Sequence, residues 1–286
     1  MGAQINRRDF VSVLSAATLG SFVASPAAAQ FSWTLSAKKK KFDSHLDYQE
    51  YLEKIRKFNK VHESDLYLPP DQIILLKSTT QRFNRLQRLV GHANFHLLGF
   101  DDALKLSRSY TQVESFTPEE LVFLERLFHE TADHYGFFGQ KPIKKLTDRI
   151  PRREVVKIRR SGNYLYKGKP VEMYKRIKKD LGKQVILTSG IRSVIKQFFL
   201  FLSKTEESNG NLSLASRSLA PPGYSFHGIG DFDVGQVGYG KLNFTAQFAK
   251  TEVFSRLQEL GYIDLRYNRD NKLGVRFEPW HVKVVS

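Results

Sequence analysis

The sequence predicts an α+β protein in which an all-helical N-terminal region precedes a C-terminal region of short strands and helices. Three observations carry this. Apolar residues recur at three- and four-residue steps from Leu46 onward. A complete helix start stands at Thr117-Pro118-Glu119-Glu120, and from about residue 155 short β-type runs alternate with helical stretches. With 286 residues, 41% hydrophobic and 13% aromatic, the chain is long enough to bury a sizeable core.

Residues 1–29 read as an export signal. Asn6-Arg7-Arg8-Asp9-Phe10 leads into a weakly apolar run from Phe10 to Val23, and Ala27-Ala28-Ala29 supplies the small-residue cleavage pattern. The run is too short and too rich in Ser, Ala and Gly to span a bilayer. Paired arginines followed by x-Phe resemble a twin-arginine signal, which exports folded proteins, although Asn6 stands where Ser or Thr is usual. Residues 30–41, ending in Lys38-Lys39-Lys40-Lys41, read as a flexible basic lead-in. An exported protein of this kind is expected in the periplasm or cell envelope.

The helical N-terminal region runs from 42 to 150. Leu46, Tyr51, Leu52, Ile55 and Phe58 form its first stripe, and Ile74, Phe83, Leu86 and Val90 continue the pattern beyond Pro69-Pro70. In the helix opened by Thr117, the apolar face is Leu121, Leu124, Leu127 and Phe128. From 151 to 286, β-type runs are expected at Val155 to Ile158, Gln184 to Leu187 and Gly274 to Phe277, and again after Trp280. Helical stretches fall near 170–181, 192–204 and 245–260, the last with Gly261 at a left-handed C-terminal cap. The Ser/Asn/Gly-rich segment from Glu206 to Ser218 reads as a long loop.

Charge and cysteine content narrow the chemistry. Forty-five Lys and Arg against 29 Asp and Glu give a formal net charge of +16, which attracts polyanions over long range. Export directs that attraction toward anionic envelope polymers rather than nucleic acid, for which the chain shows no recognisable binding module. The absence of cysteine excludes thiolate ligands, disulfides and a thiol nucleophile, so a metal here must be held by His and carboxylate.

The stretch PPGYSFHGIGDFDVG, residues 221–235, offers such ligands. His227 stands among glycines that let backbone segments approach closely, and Asp231 and Asp233 follow on one face of an extended segment. A third ligand must come from elsewhere. His92 and His96, four apart in GHANFH, fall on one helix face and read as partly exposed helix histidines. His129-Glu130 is not a zinc-protease helix, because position 133 is Asp and His134 comes one residue too late. His45 and His62 have no partners in sequence. His281 ends the run RFEPWH, three residues after Glu278, and the two point the same way only if the chain kinks, as Pro279 would allow. A carboxylate beside a metal-activated water can take its proton.

Three motifs in order resemble the zinc D-alanyl-D-alanine carboxypeptidases and dipeptidases, which share a metal fold with hedgehog signalling domains. They are SGIRSVIKQ with Ser189, Gly190, Arg192, Ser193 and Gln197; SFHGIGDFD with Ser225, His227, Gly230 and Asp233; and Glu278, Trp280 and His281. The resemblance covers roughly residues 155–286 and leaves the helical region unexplained. It implies a hedgehog/DD-peptidase-like domain over 151–286, with a small antiparallel sheet flanked by helices. It also implies Zn2+ held by His227, Asp233 and His281, Glu278 as general base and Arg192 as stabiliser of the oxyanion. Ser225, Ser193 and Gln197 would orient the peptide, and Tyr224 and Phe226 flank the approach. One departure stands out: the family places Asp seven residues after the first His, whereas here Asp233 follows by six and Asp231 by four. Asp233 is the expected ligand, since a shortened loop explains the count and an apolar Val follows it, with Asp231 as the alternative, because the two share one face of the strand.

The implied function is exported hydrolysis of D-alanyl peptide bonds in peptidoglycan stem peptides, carboxypeptidase-like. The motifs do not separate carboxypeptidase from dipeptidase or endopeptidase action, and the oligomeric state is left open. The alternative is a zinc-stabilised envelope-binding protein without turnover. Glu278 and Arg192 weigh against it, because a structural metal needs neither base nor oxyanion donor.

Overall fold

Pro69-Pro70 opens the longest helix among the described residues because a proline in the first turn sacrifices only an N–H that has no helical partner. The computed structural model describes residues 45–284, which lie within one compact unit, Ala37–Ser286. The export signal expected over 1–29 and the basic lead-in over 30–41 lie outside the described residues. The N-terminal helices are α1 (His45–Arg56), α2 (Pro70–Val90), α3 (His92–Phe95), α4 (Phe100–Ser109) and α5 (Pro118–His129). At the start of α5, Thr117 accepts from the Glu120 N–H while the Glu120 carboxylate accepts from the Thr117 N–H, the expected reciprocal cap. The same carboxylate also accepts from Arg82 of α2, a buried pair that ties the two helices. Ile74 departs from its expected stripe: it is exposed, and Leu76, Phe83 and Leu86 carry the buried face.

The C-terminal elements are β1 (Val155–Lys157), β2 (Tyr164–Tyr166), α6 (Lys169–Leu181), β3 (Val185–Ser189), α7 (Val194–Glu207), α8 (Leu212–Ser216), β4 (Phe232–Gln236), α9 (Glu252–Glu259) and β5 (His281–Val282). Strands β1 and β2 form an antiparallel hairpin, and β3-β4-β5 form an antiparallel sheet with β4 at its centre. One apolar core lies between this sheet, α6 and α9, built on Ile177, Val185, Phe232, Val234, Phe248 and Leu257. A larger core draws on both halves of the chain: α7 lays Phe198, Phe201 and Leu202 against Phe83 of α2 and Phe128 of α5. The helical region is therefore packed directly behind the helix that begins at Val194. No helix among the described residues is long and apolar enough to cross a membrane.

Three local expectations are corrected. Gly274–Phe277 forms no strand; Gly274 has φ +89° and lies so close to the Gly136 carbonyl that a Cβ would stand 2.2 Å from it, so this is a close-packed loop. The segment Glu206–Ser218 is not a long loop. Helix α7 runs to Glu207, Asn211 caps α8 by accepting from the Leu214 N–H, and Arg217 is bound to Asp65 at 2.6 and 2.9 Å. The helix expected over 245–260 is broken at Thr251, which caps α9 after a separate 3-10 turn over Ala246–Lys250.

Candidate metal centre

Sheet register builds the centre. Asp233, in the middle strand, is paired with Ser189 of β3 on one side and His281 of β5 on the other. His227 sits in a 3-10 turn, Phe226–Gly228, five residues before β4. The kink anticipated at Pro279 is a tight turn in which the His281 N–H donates to the Glu278 carbonyl at 3.2 Å. His227, Asp233 and His281 are all buried, and each offers a ligand atom within 4.8 Å of the others.

The atoms converge on one oxygen. Asp233 Oδ1 lies 3.2 Å from His227 Nε2 and 3.2 Å from His281 Nδ1. Tetrahedral zinc with bonds of about 2.0–2.1 Å separates neighbouring ligand atoms by about 3.3 Å, so both distances from Asp233 match ligand pairs of a single zinc ion. The opposite ring nitrogens are already engaged. His227 Nδ1 faces the Gly190 carbonyl at 2.8 Å, and His281 Nε2 faces Asp231 Oδ2 at 3.0 Å. Both partners only accept, so each of these nitrogens carries a proton, and the other nitrogen of each ring, the one facing Asp233, is the one left for a metal.

Asp231 thus has a different place from Asp233. Lying just before β4, it receives His281 Nε2, Arg266 Nε at 2.8 Å and the Val284 N–H at 2.8 Å. Burial pushes its carboxyl up, but these donors outweigh burial and hold it down to about 2. Asp233 is also buried, and His227, His281 and Arg192 together keep its carboxyl below the usual carboxylate range. His227 is held below the ordinary imidazole value by burial and by the Arg192 charge. Burial alone would lower His281, but the two aspartates raise it to about 9.

Arg192 reaches the centre from the turn after β3. Its Nε donates to Ser189 Oγ at 3.0 Å and a terminal nitrogen donates to Asp233 Oδ2 at 2.8 Å. Glu278 is half-buried, and its carboxyl is pushed up to about 7, first by desolvation and also by Asp233; Arg276, His281 and Arg192 oppose the shift. Its charge is therefore coupled to three residues of the centre. Ser225 is buried at the start of the His227 turn. Ser193 caps α7, accepting from the Lys196 N–H. Gln197 uses both ends of its amide, donating to the Arg192 carbonyl and accepting from the Gly223 N–H. Tyr224 turns its hydroxyl toward Ala132, whose N–H it accepts, and its ring lies against Phe137. A cavity of about 200 Å³ adjoins Arg192, Ser193 and Gln197, and Ile143, Asp148 and Tyr166 line its other side.

Sequence reasoning missed Arg266 and underestimated His96. Arg266 stands over the Phe226 ring at 3.5 Å and reaches Asp231 across 35 residues, a pairing with no local signal. His96 is buried, not partly exposed.

Residues 168–286 match the family model described as VanY, D-alanyl-D-alanine carboxypeptidase. No curated protein matches the chain. Among solved structures it is similar to the LdcB LD-carboxypeptidase, at 23% identity and TM-score 0.38, over 46% of this chain and 64% of that one. It is similar also to a mutant of the vancomycin resistance D,D-pentapeptidase VanY from a VanB-type resistance cassette in complex with Zn(II). That likeness has 24% identity and TM-score 0.39, over 53% and 89% of the two chains. A third is VanYB in complex with D-Alanine-D-Alanine, at 26% identity and TM-score 0.38, over 48% and 81%. The chain thus spans less than two thirds of the first of these structures. Every residue of the three-ligand centre, with Arg192 and Glu278, falls inside the segment that matches the VanY family model.

Proposed function

We propose that this protein is an exported zinc metallopeptidase that hydrolyses D-alanyl peptide bonds of peptidoglycan stem peptides. The observation that carries the reading is the convergence of His227 Nε2, His281 Nδ1 and Asp233 Oδ1, with each ring's other nitrogen spoken for, inside the segment that matches the carboxypeptidase family. Bound there, zinc supplies Lewis acidity toward the scissile carbonyl and a water nucleophile at neutral pH.

The remaining chemistry belongs to side chains. Glu278, whose desolvated carboxyl has its affinity for protons raised toward neutrality, takes the proton of the attacking water and returns it to the leaving amine. Arg192 uses two nitrogens to hold Ser189 and Asp233, and its remaining N–H groups meet the oxygen on which negative charge develops. Ser225 lies beside the His227 turn to meet the peptide, while Ser193, Gln197 and Tyr224 orient it through the loops they fix. The basic surface makes electrostatic contact with anionic envelope polymers, and the first 29 residues direct export by the twin-arginine route.

The test is metal content of the purified protein together with D-alanine release from a stem pentapeptide, repeated for Glu278→Gln. Zinc in both proteins with release lost only in the variant supports the reading. Zinc without release from any wall peptide by the wild type would instead make this an envelope-binding protein.

A further inference from the structure

The GHANFH histidines are not idle helix decoration. His96 is 3% exposed and touches both neighbours of Arg192: its Nδ1 lies 3.1 Å from the Ile191 carbonyl, and its own carbonyl accepts the Ser193 N–H at 2.9 Å. A carbonyl only accepts, so Nδ1 carries the proton and Nε2 offers a lone pair. His92 Nε2 stands 3.3 Å from that lone pair and completes the chain as donor. Burial, with the Lys196 charge beside it, pushes His96 down to about 3, so the ring stays neutral and this hydrogen-bond order persists at working pH. Lys196, one turn into α7, is itself held by α2 through Gln87 at 3.2 Å and lies over the Phe95 and Phe199 rings.

Arg192 needs such support. Its backbone N–H reaches the His227 carbonyl at only 3.3 Å, and its guanidinium must stay on Ser189 and Asp233 while meeting a reacting oxygen. The turn from Gly190 to Ser193 carries no regular secondary structure of its own. Two of its backbone groups are bound by one imidazole residue that lies outside the family-matched segment.

We propose that His96 is a positioning residue: by clamping the backbone on both sides of Arg192, it lets the N-terminal helical region set the oxyanion-binding geometry of the C-terminal domain. This rests on the role given to Arg192 above. Asparagine places an amide N–H near the position of Nδ1 and leucine does not, so the two substitutions separate the hydrogen bond from the packing.

The experiment uses the full-length protein loaded with zinc. His96→Leu is expected to lower kcat/KM on a stem pentapeptide by about 10- to 100-fold, mainly through kcat, the scale of a small misplacement of a catalytic group. His96→Asn is expected to restore most of the loss, and in an Arg192→Lys background His96→Leu should cost little further. A second readout needs no turnover: the Arg192 Nε–H, bonded to Ser189, should exchange with solvent faster in His96→Leu and at the wild-type rate in His96→Asn. Should the leucine variant fail to fold, His92→Phe, which removes only the outer donor, is expected to give a smaller change of the same kind. Unchanged kcat and unchanged exchange in a folded His96→Leu protein would overturn the proposal, as would a loss that persists in full in the Arg192→Lys background. Were the wild type to hydrolyse nothing, the peptidase reading would fall and the clamp would be judged on the exchange rate alone.

Discussion

Asp231 and His281 are joined across 50 residues by a 3.0 Å hydrogen bond to the ring nitrogen that the three-ligand cluster does not use. The bond fixes the tautomer and the tilt of the ring, so Asp231 would act on a bound metal through His281. Asp231→Asn keeps the shape but removes the charge and one acceptor oxygen. It is expected to weaken zinc affinity by about 10- to 100-fold, whereas Asp233→Asn, which alters a ligand, costs more. Competition with a chromogenic chelator measures both. Equal losses, or a larger loss at Asp231, would reverse the assignment of the two aspartates.

Glu278 ties stability to pH. In the zinc-free protein its carboxyl is raised to about 7 from an ordinary value of 4.5, chiefly by desolvation. The folded chain then holds a proton that the unfolded chain has released, so its contribution to stability is fully present below about pH 4.5 and falls as pH rises toward 7. Glu278→Gln removes this dependence. The zinc-free variant is expected to be more stable than wild type at pH 8, by up to about 3 kcal/mol, and equal to it near pH 4.5. Urea denaturation of both at the two pH values checks it, and no widening of the gap with pH would contradict the burial of that carboxylate. The loaded variant should keep zinc and lose D-alanine release.

Gly190 shows why the glycine of SGIRS is needed. A Cβ there would stand 2.1 Å from the Tyr164 carbonyl, which accepts the Ile191 N–H at 2.9 Å, and the Gly190 carbonyl in turn orients His227. Gly190→Ala must separate β2 from this turn and move the His227 partner with it. Expected outcomes are a lower thermal midpoint together with weaker zinc binding. Alanine tolerated without either effect would show that the hairpin does not press on the turn.

What the sequence disclosed follows from where each determinant lies. The convergence of His227, Asp233 and His281 was readable because each belongs to a short motif, and the Thr117 cap because its partner is three residues away. The burial of His96 was not, since it depends on α7 lying across α2 and α3. Arg266 and Asp231 meet only after β4 and β5 pair. The run at Gly274–Phe277 alternates like a strand but finds the 136–137 backbone against it instead of a free sheet edge. Helix α8 hides in a polar stretch whose one signal, the Asn211 cap, resembles a turn.

The positive charge has a location as well as a sum. Between residues 152 and 183, exposed Lys and Arg outnumber exposed Asp and Glu by eleven to three. The β1–β2 hairpin contributes Lys157, Arg159 and Arg160, and its other strand carries Tyr166, which lines the cavity beside Arg192. A polyanion attracted to the hairpin is thereby held near the cleft. Replacing Arg153, Lys157, Arg159 and Arg160 by glutamine is expected to weaken binding to inorganic polyphosphate by at least about tenfold at low salt, and to flatten its salt dependence. Replacing four exposed bases elsewhere, Lys77, Arg88, Lys105 and Arg108, should do much less although it removes the same charge. Release of D-alanine from a free pentapeptide should be unchanged in the hairpin variant, because none of the four side chains reaches the centre. Equal weakening by the two sets would mean that net charge alone governs the attraction, and the hairpin would have no special part in it.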